Sequence, residues 1–260
     1  KPSVRLWSDA REALKDLYDQ IETVMPEIGS KNASHAASVP IAMQSWRQSV
    51  RNRLKSDETP IDMARLINEL NEILSDDTIL IADGGFSAHW GGLLYDTKKA
   101  GRLFVPDRGF ASIGYGLPGA IGARLAKPKQ PIVAITGDGG FNMMIGELET
   151  ATRLGLNFTL IVINNAASGY VKALQHLMYG PGNYQSSDLN EQNYDKLAKA
   201  FGCIGIRVEE PNKIQPAIIK AFSNEGKPTI IDLIVTRDPS KMLPGVDNRT
   251  ANVRKGDRLA

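Results

Sequence analysis

Cysteine is almost absent from this sequence, since Cys203 is the single example among 260 residues. One cysteine cannot form a disulfide within the chain, and it cannot supply a thiolate cage for a metal ion. We therefore predict that Cys203 packs as a small apolar residue.

The sequence also lacks an excess of charge of either sign, and it lacks long apolar runs. Lysine and arginine total 31 against 29 aspartates and glutamates, so the formal net charge of +2 gives no sign of a nucleic-acid or membrane surface. Apolar runs such as Thr159–Ile163 are too short to span a bilayer, and the N-terminus lacks the basic-then-apolar order of a signal peptide. With 42% apolar residues, we expect a soluble, cytoplasmic protein whose partners are small molecules and other protein chains.

The sequence pattern divides the chain into four predicted segments: the tail of a truncated preceding domain at 1–25, a linker with a basic helix at 26–58, the main domain at 59–240 and a C-terminal tail at 241–260. In the first segment a strand is predicted at Pro2–Leu6, followed by an amphipathic helix, and the chain starts at Lys1 rather than Met. Met25–Pro40 is rich in small residues, Gly and Pro, which favours a linker, and Ile41–Lys55 is predicted to be a basic helix.

The main domain alternates apolar strands with amphipathic helices. Strands are predicted at Thr78–Ala82, Pro131–Thr136, Phe158–Ile163 and Thr229–Val235, and helices at Ile61–Leu74, Gly114–Leu125, Met143–Leu154, Tyr170–Tyr179, Tyr194–Phe201 and Ile214–Ser223. Continuous apolar strands between helices are typical of a parallel sheet that is covered on both faces. The predicted fold class is therefore α/β, doubly wound, with a mainly parallel sheet and helices on both faces.

Polar residues follow two of the predicted strands. Gly137-Asp138-Gly139-Gly140 ends one strand, and Asn164-Asn165 ends the next. Since ligands bind beyond the carboxyl ends of the strands in an open parallel sheet, both clusters can face one ligand. Glycines let backbone amides approach phosphate oxygens, and Mg²⁺ combines a few protein oxygens with phosphate. The pattern predicts a diphosphate and a magnesium ion held by Asp138 and Asn165, although a structural turn at the glycines is the alternative.

This arrangement resembles the motif of thiamine-diphosphate enzymes. Gly-Asp-Gly is followed by a helix, a strand and Asn-Asn, with 27 residues separating Asp138 from Asn165. The likeness covers roughly residues 59–238 and is closest to the acetolactate synthase large subunits, which have similar segments at Gly114–Pro118, Phe141–Met143 and Glu147–Ala151.

The resemblance implies a thiamine-diphosphate-binding fold and a set of contacts. Mg²⁺ would bind the side chains of Asp138 and Asn165 and the backbone carbonyl of Ala167. The cofactor would contact Gly84, Gly85, Phe86, Ser87, Ala111, Ile113, Gly137, Gly139, Gly140, Asn165 and Gly169.

The resemblance implies three roles for four of these residues. The amides of Gly139 and Gly140 would bind the diphosphate, the Ala111 carbonyl would accept a hydrogen bond from the cofactor's 4′-amino group, and Ile113 would hold the cofactor bent. The family often has Gln-His where this chain has Phe86-Ser87, which leaves the side-chain phosphate contacts open.

The resemblance also implies a function and a partner. The expected reaction is decarboxylation of a 2-oxo acid or dicarbonyl with carboligation through a C2 ylid. Carbon–carbon cleavage or hydrolysis of a 1,2-dione or hydroxyacyl substrate, and a non-catalytic cofactor-binding scaffold, are the alternatives. The family's activating glutamate comes from a pyrimidine-binding domain, which is expected in missing N-terminal sequence or in a partner chain of a homo- or hetero-oligomer. FAD stays open, although nothing in this sequence favours it.

Histidine could supply acid–base chemistry near the substrate, because it titrates close to neutral pH. His89 and His176 are the candidates, and an ordinary packed or surface role is the alternative for each. A dinucleotide site is disfavoured, because no Gly-x-Gly-x-x-Gly opens a helix after the first strand.

Overall fold

A computed structural model of the protein describes residues 3–243. The chain forms two compact units, one ending at Arg51 and the other beginning at Asn52. Position 2 of the predicted strand and positions 244–260 of the predicted tail lie outside the described residues.

The first unit consists mainly of one long helix, α1, at Ala10–Leu54, whose last residues belong to the second unit. The Asp9 carboxylate caps its first turn by accepting from the amides of Arg11 and Glu12, at 2.9 and 3.3 Å. One prediction was wrong here. Residues 3–6 do not form a strand, because a strand needs a neighbour and the described part of this unit contains none. Residues 25–40 are helical, since the alanines among the small residues are strong helix formers, and their role as a linker stays a prediction.

The second unit is built on a six-stranded, all-parallel sheet with the order β2-β1-β3-β4-β6-β5. The strands are β1 Ile79–Ala82, β2 Phe104–Pro106, β3 Ile132–Gly137, β4 Thr159–Asn164, β5 Ile204–Val208 and β6 Thr229–Ile234. The four predicted strands are confirmed as β1, β3, β4 and β6. The two edge strands, β2 and β5, were not predicted, because their residues are only half-buried and lack a continuous apolar run.

The described residues of this unit contain nine further helices, namely α2 Met63–Ile73, α3 Phe86–Leu94, α4 Gly116–Ala126, α5 Asp138–Met144, α6 Glu147–Arg153, α7 Gly169–Tyr179, α8 Tyr194–Ala200, α9 Ile214–Phe222 and α10 Pro239–Met242, with a 3₁₀ turn at Pro211–Lys213. The single helix predicted at 143–154 is two helices, separated around Ile145-Gly146, and the first begins directly after β3. Within the described residues, no helix is both long and apolar enough to cross a membrane.

The core lies on both faces of the sheet, as the predicted fold class requires. Alternate residues of β3 point to opposite faces: Val133 and Ile135 join one apolar cluster, and Ile132 and Ala134 join the other. The α/β doubly wound fold with helices on both faces is thereby confirmed.

The sheet order places a crevice between β1 and β3. The chain runs from β1 to β2 on one side and then crosses to β3 on the other side of β1. Such a switch point opens a crevice beyond the carboxyl ends of the two central strands, where ligands bind in doubly wound folds. Asp83 follows β1 and Asp138 follows β3, so both acidic residues lie at this crevice.

Candidate functional site

Asp138 is the buried carboxylate of the crevice, with 2% of its surface exposed. It is the first residue of α5, and one of its oxygens accepts from the Gly139 amide at 2.8 Å. Its second oxygen, Oδ2, accepts from the amides of Asn165 at 3.2 Å and Ala167 at 3.3 Å. Burial raises the pKa of Asp138 to about 6, against the lowering effect of these hydrogen bonds. Within the described residues no ion pair supplies a cation to this carboxylate.

The loop after β4 lies against this carboxylate. The structure brings Asn165, Ala167 and Asp138 together through the two amide contacts, although 27 or more residues separate them in sequence. Ala166 between them adopts a left-handed backbone conformation with φ of 50°. A Cβ atom on Gly169 would lie 2.6 Å from the Asn165 side-chain nitrogen, so glycine is needed there for Asn165 to keep its place.

The Asp83 side chain, just after β1, forms hydrogen bonds to β3 and to the loop before α4. Its Oδ2 accepts from the Thr136 hydroxyl at 2.6 Å, and its Oδ1 accepts from the amides of Gly84 and Gly114 at 2.6 and 3.0 Å. A Cβ atom on Gly140 would lie 2.8 Å from the same Oδ2. Glycine at position 140 therefore lets α5 pack directly against Asp83.

The predicted contacts at Ala111 and Ile113 lie at the same crevice. The Ala111 carbonyl oxygen is 3.1 Å from where a Gly84 Cβ would be, and Ala111 has a φ of 54°. Ile113 precedes Gly114, whose own Cβ position is 3.3 Å from the Gly140 carbonyl oxygen. The Ile113 side chain is 52% exposed, so it leaves an apolar group accessible beside the crevice.

The segment after β1 leads directly into a helix. Gly85 has a φ of 66° and precedes α3, which begins at Phe86. Ser87 is buried, and its hydroxyl has no hydrogen-bond partner in the part of the chain that the structure describes. A buried hydroxyl without a partner is destabilising, and such a group commonly has a ligand or a water as its partner.

The two candidate histidines differ in position. His89 Nδ1 is 2.9 Å from the Gly85 carbonyl, which can only accept, so Nδ1 carries a proton, and Nε2 is the acceptor of the neutral ring. Its ring stacks on Tyr170 at 4.7 Å, close to Gly169 and the β4 loop. His176 lies two turns further along α7 and contacts the Tyr184 hydroxyl at 2.9 Å. The structure therefore brings His89, and not His176, to the crevice.

Comparison with known proteins matches the family model for thiamine pyrophosphate enzymes, C-terminal TPP-binding domain, to residues 83–233. This match spans more than half of the chain and includes both sides of the crevice. The chain belongs to the thiamine pyrophosphate enzyme family.

Similar curated proteins within this family include acetolactate synthase subunits. The chain is 29% identical over 252 residues to the probable acetolactate synthase large subunit of Methanococcus aeolicus, covering 92% of this chain and 41% of that protein. It is 32% identical over 197 residues to the probable large subunit of Methanocaldococcus jannaschii, covering 73% and 32%. It is 27% identical over 223 residues to the large subunit of Haemophilus influenzae, covering 85% and 38%. The chain thus spans about two fifths or less of the length of these relatives.

The crevice of this thiamine pyrophosphate enzyme family member fits a metal-bound diphosphate. Among the described residues, Asp138 is a buried carboxylate without a cation, and the Ser87 hydroxyl is a buried donor without an acceptor. A Cβ on Gly137 would contact nothing within 4 Å, so there is space beside the start of α5. No cluster of three His, Cys, Asp or Glu side chains occurs in the described part of the chain. Mg²⁺ does not require one, because it takes few protein oxygens and completes its shell with phosphate and water.

Several residues of the crevice were missed at the level of sequence. Asp83 follows β1 as Asp138 follows β3, so its position after a predicted strand could have indicated that it lies at the crevice. Asp107 follows the unpredicted strand β2, and one of its oxygens is buried without a partner among residues 3–243. Burial and the nearby Asp83 charge raise the pKa of Asp107. The contact of Thr136 with Asp83 joins positions 53 residues apart and has no local signal.

Proposed function

We propose that this chain carries the diphosphate- and magnesium-binding part of a thiamine-diphosphate-dependent enzyme that decarboxylates a 2-oxo acid and joins the product to a second carbonyl compound. The buried Asp138 carboxylate, held by the amides of Asn165 and Ala167 without a cation partner, is the observation that carries this proposal. The similarity to acetolactate synthase large subunits supports this reaction class.

Different residues of the crevice would bind the metal ion and the diphosphate. Asp138, the Asn165 side chain and the Ala167 carbonyl would hold Mg²⁺, and the ion would offset the charge of the diphosphate. Amides at the start of α5 and the Ser87 hydroxyl would bind phosphate oxygens. The Gly139 amide donates to Asp138, so Gly140 is the better candidate for a phosphate contact. When bound, the cofactor supplies the carbon nucleophile for attack on the substrate carbonyl.

Other residues would orient the cofactor and the substrate. The Ala111 carbonyl, close to Gly84, would accept from the cofactor's amino group, and Ile113 would support its bent shape. His89 would present Nε2 as a proton acceptor near the substrate, because its Nδ1 donates to Gly85.

A second domain would complete this site. In this proposal, a pyrimidine-binding domain of the same longer polypeptide or of a partner chain supplies the activating glutamate. The 52% exposed Ile113 and the 99% exposed Phe110 leave apolar surface beside the crevice, which suits such a neighbour. Oligomerisation is part of the same proposal.

Calorimetric titration of thiamine diphosphate tests the proposal directly. We expect binding in the presence of Mg²⁺ and none after EDTA, with tighter binding when a co-purifying partner chain is present. Absence of binding in all three conditions would contradict the proposal and would favour a scaffold role.

Asp138→Ala is expected to abolish Mg²⁺-dependent cofactor binding, because it removes the only carboxylate of the proposed metal site. Glu147→Ala, at an exposed position in the neighbouring helix α6, is the matched control and should bind like the unchanged chain. Equal cofactor affinity in the two variants would exclude Asp138 as the metal ligand.

A second candidate reaction is cleavage or hydrolysis of a 1,2-dione without net decarboxylation. It is favoured by Phe86-Ser87, which replaces the Gln-His pair common in the family and leaves a hydroxyl at the crevice. The two reactions are separated by supplying the loaded enzyme with 2-oxo acids and with diones while measuring CO₂. Dione consumption without CO₂ release would support the second reaction.

A further inference from the structure

Asp232 is a second fully buried carboxylate, and the proposed chemistry does not use it. It lies in β6 with 0% of its surface exposed. Three donors surround it: Arg207 Nη1 at 3.0 Å, Asn164 Nδ2 at 2.8 Å and the Tyr194 amide at 3.2 Å. A buried charge is tolerated when it is paired and hydrogen-bonded in this way. Asp232 therefore depends on Arg207 for its charge partner.

Asn164 connects this carboxylate to the proposed metal loop. Its side-chain nitrogen donates to Asp232 and also to the Gln192 carbonyl at 2.9 Å. Both partners are acceptors, which fixes which end of the amide faces them. The side chain of Asn164 is fully buried, and the next residue in the chain is Asn165. The hydrogen bonds from Asn164 to Asp232 and Gln192 therefore fix the point where the loop that contains Asn165 and Ala167 begins.

The segment 187–194 holds the same loop from its other side. The Ser168 amide donates to the Ser187 carbonyl at 2.7 Å, and the Leu189 amide donates to the Ala166 carbonyl at 2.8 Å. These bonds secure the loop around Ala166, which has an uncommon left-handed conformation.

Arg207 contacts both Asp232 and the segment 187–194. Its Nη1 contacts Asp232, and its Nη2 contacts Glu191 within the segment 187–194 at 3.2 Å. Glu191 also accepts from Arg237 at 2.7 Å, but no contact in the described residues links Arg237 to Asp232. A planar guanidinium can satisfy two carboxylates at once, which a point charge cannot do in the same geometry.

We propose that Arg207 is a positioning residue for the metal loop, acting through Asp232 and Asn164 on one side and through Glu191 on the other. This inference rests on the proposed function, because the loop matters to the reaction only if it binds Mg²⁺ and the diphosphate. Arg207 itself lies at the edge strand β5 and would contact neither the metal nor the substrate.

The test compares Arg207→Ala with Arg237→Ala in the whole chain. The readout is the Mg²⁺ concentration that gives half-maximal thiamine diphosphate binding in calorimetric titrations. We expect Arg207→Ala to raise this concentration by roughly tenfold or more, as is typical for groups that orient metal ligands. Arg237→Ala, which removes only a partner of Glu191, should leave it unchanged, and Arg207→Lys should fall between the two.

Equal magnesium requirements in the two alanine variants would overturn the inference. Arg207→Ala leaves a buried carboxylate unpaired and can prevent folding, so Asp232→Asn is the second variant. It keeps the volume of the group, removes the charge that Arg207 pairs with, and is expected to raise the magnesium requirement as well. A folded Asp232→Asn variant with an unchanged requirement would also overturn the inference.

Amide hydrogen exchange in the absence of cofactor separates this inference from the proposed function. The Asn165 and Ala167 amides, which donate to Asp138, should exchange several-fold faster in Arg207→Ala or Asp232→Asn than in Arg237→Ala. If the unchanged chain binds no cofactor, the proposed function fails, while faster exchange would still support the positioning role. Equal exchange in all variants would contradict it.

Discussion

At the residue scale, Gly169 is the position where one added carbon has the clearest effect on the site. A Cβ there would lie 2.6 Å from the side-chain nitrogen of Asn165, well inside contact distance. Gly169→Ala is therefore expected to displace Asn165 and to raise the Mg²⁺ concentration needed for cofactor binding by roughly ten- to a hundredfold. Calorimetric titration of thiamine diphosphate at several Mg²⁺ concentrations measures this change.

Gly122→Ala is the matched control for this substitution. Gly122 also lies in a helix, and a Cβ there would contact nothing within 4 Å. Alanine favours helices over glycine by about 1 kcal/mol, so neither variant should lose stability through its helix backbone. An unchanged magnesium requirement in Gly169→Ala would show that Mg²⁺-dependent cofactor binding does not depend on the present position of the Asn165 side chain.

Cys203 gives a prediction about stability at high pH. The thiol is buried, and burial raises its pKa from about 9 to about 11. Between these values the unfolded chain releases the thiol proton while the folded chain retains it, so the free energy of unfolding falls as pH rises from 9 to 11. Cys203→Ala removes this contribution.

Urea unfolding of both proteins between pH 8 and pH 11 measures the effect. We expect the free energy of unfolding of the unchanged chain to fall relative to that of Cys203→Ala, with most of the difference arising above pH 9. Parallel pH profiles would contradict the raised pKa. The prediction that Cys203 packs as a small buried residue agrees with its 6% exposure.

At the scale of elements, the ends of β1 and β3 are joined by the hydrogen bond from Thr136 to Asp83. Thr136→Val keeps the shape of the side chain and leaves one Asp83 oxygen without this donor. We expect a loss of about 1–3 kcal/mol in the free energy of unfolding, which is the usual effect of an unsatisfied buried acceptor. Urea denaturation measures it, and Thr97→Val at an exposed position serves as the control. Equal stability of the two variants would contradict the importance of this link.

The central strands could be predicted from sequence because each is buried on both faces. A strand such as β3 or β4 is then a continuous apolar run with a polar residue at its carboxyl end. The same logic located Asp138 and Asn165 just beyond the carboxyl ends of two adjoining strands, and the structure brings them together. Their role as metal ligands stays a prediction.

Other elements depend on contacts that lie far apart in sequence. The edge strands β2 and β5 are half-buried, and they are strands because they pair with β1 and β6. The helix α5 begins at Asp138 itself, whereas the sequence pattern predicts that residues 137–140 end a strand. The contacts of Asp83 with Thr136 and of Asp232 with Arg207 join positions 53 and 25 residues apart, so no local pattern indicates them.

At the scale of the whole molecule, the second unit contains every residue of the two apolar core clusters. The cluster members all come from residues after 60, with Leu54 as the earliest side chain packed against them. A chain that begins at Asn52 is therefore expected to retain the parallel sheet and to unfold cooperatively in urea. Loss of the cooperative transition would show that this unit depends on the residues before it.

We expect Arg53 to be the first residue that contributes to the stability of the second unit. Its guanidinium contacts the Asp62 carboxylate at 2.9 Å and the carbonyls of Lys241 and Leu243 at 2.7 and 3.2 Å, and it lies 4.6 Å from the centre of the Trp90 ring. Asp62 is buried and also caps α2, so removal of Arg53 leaves a buried charge without its partner. In the chain that begins at Asn52, Arg53→Ala is expected to lower the free energy of unfolding by about 1–3 kcal/mol. Lys55→Ala, at an exposed position two residues later, should change it little, and equal losses in the two variants would place the limit elsewhere.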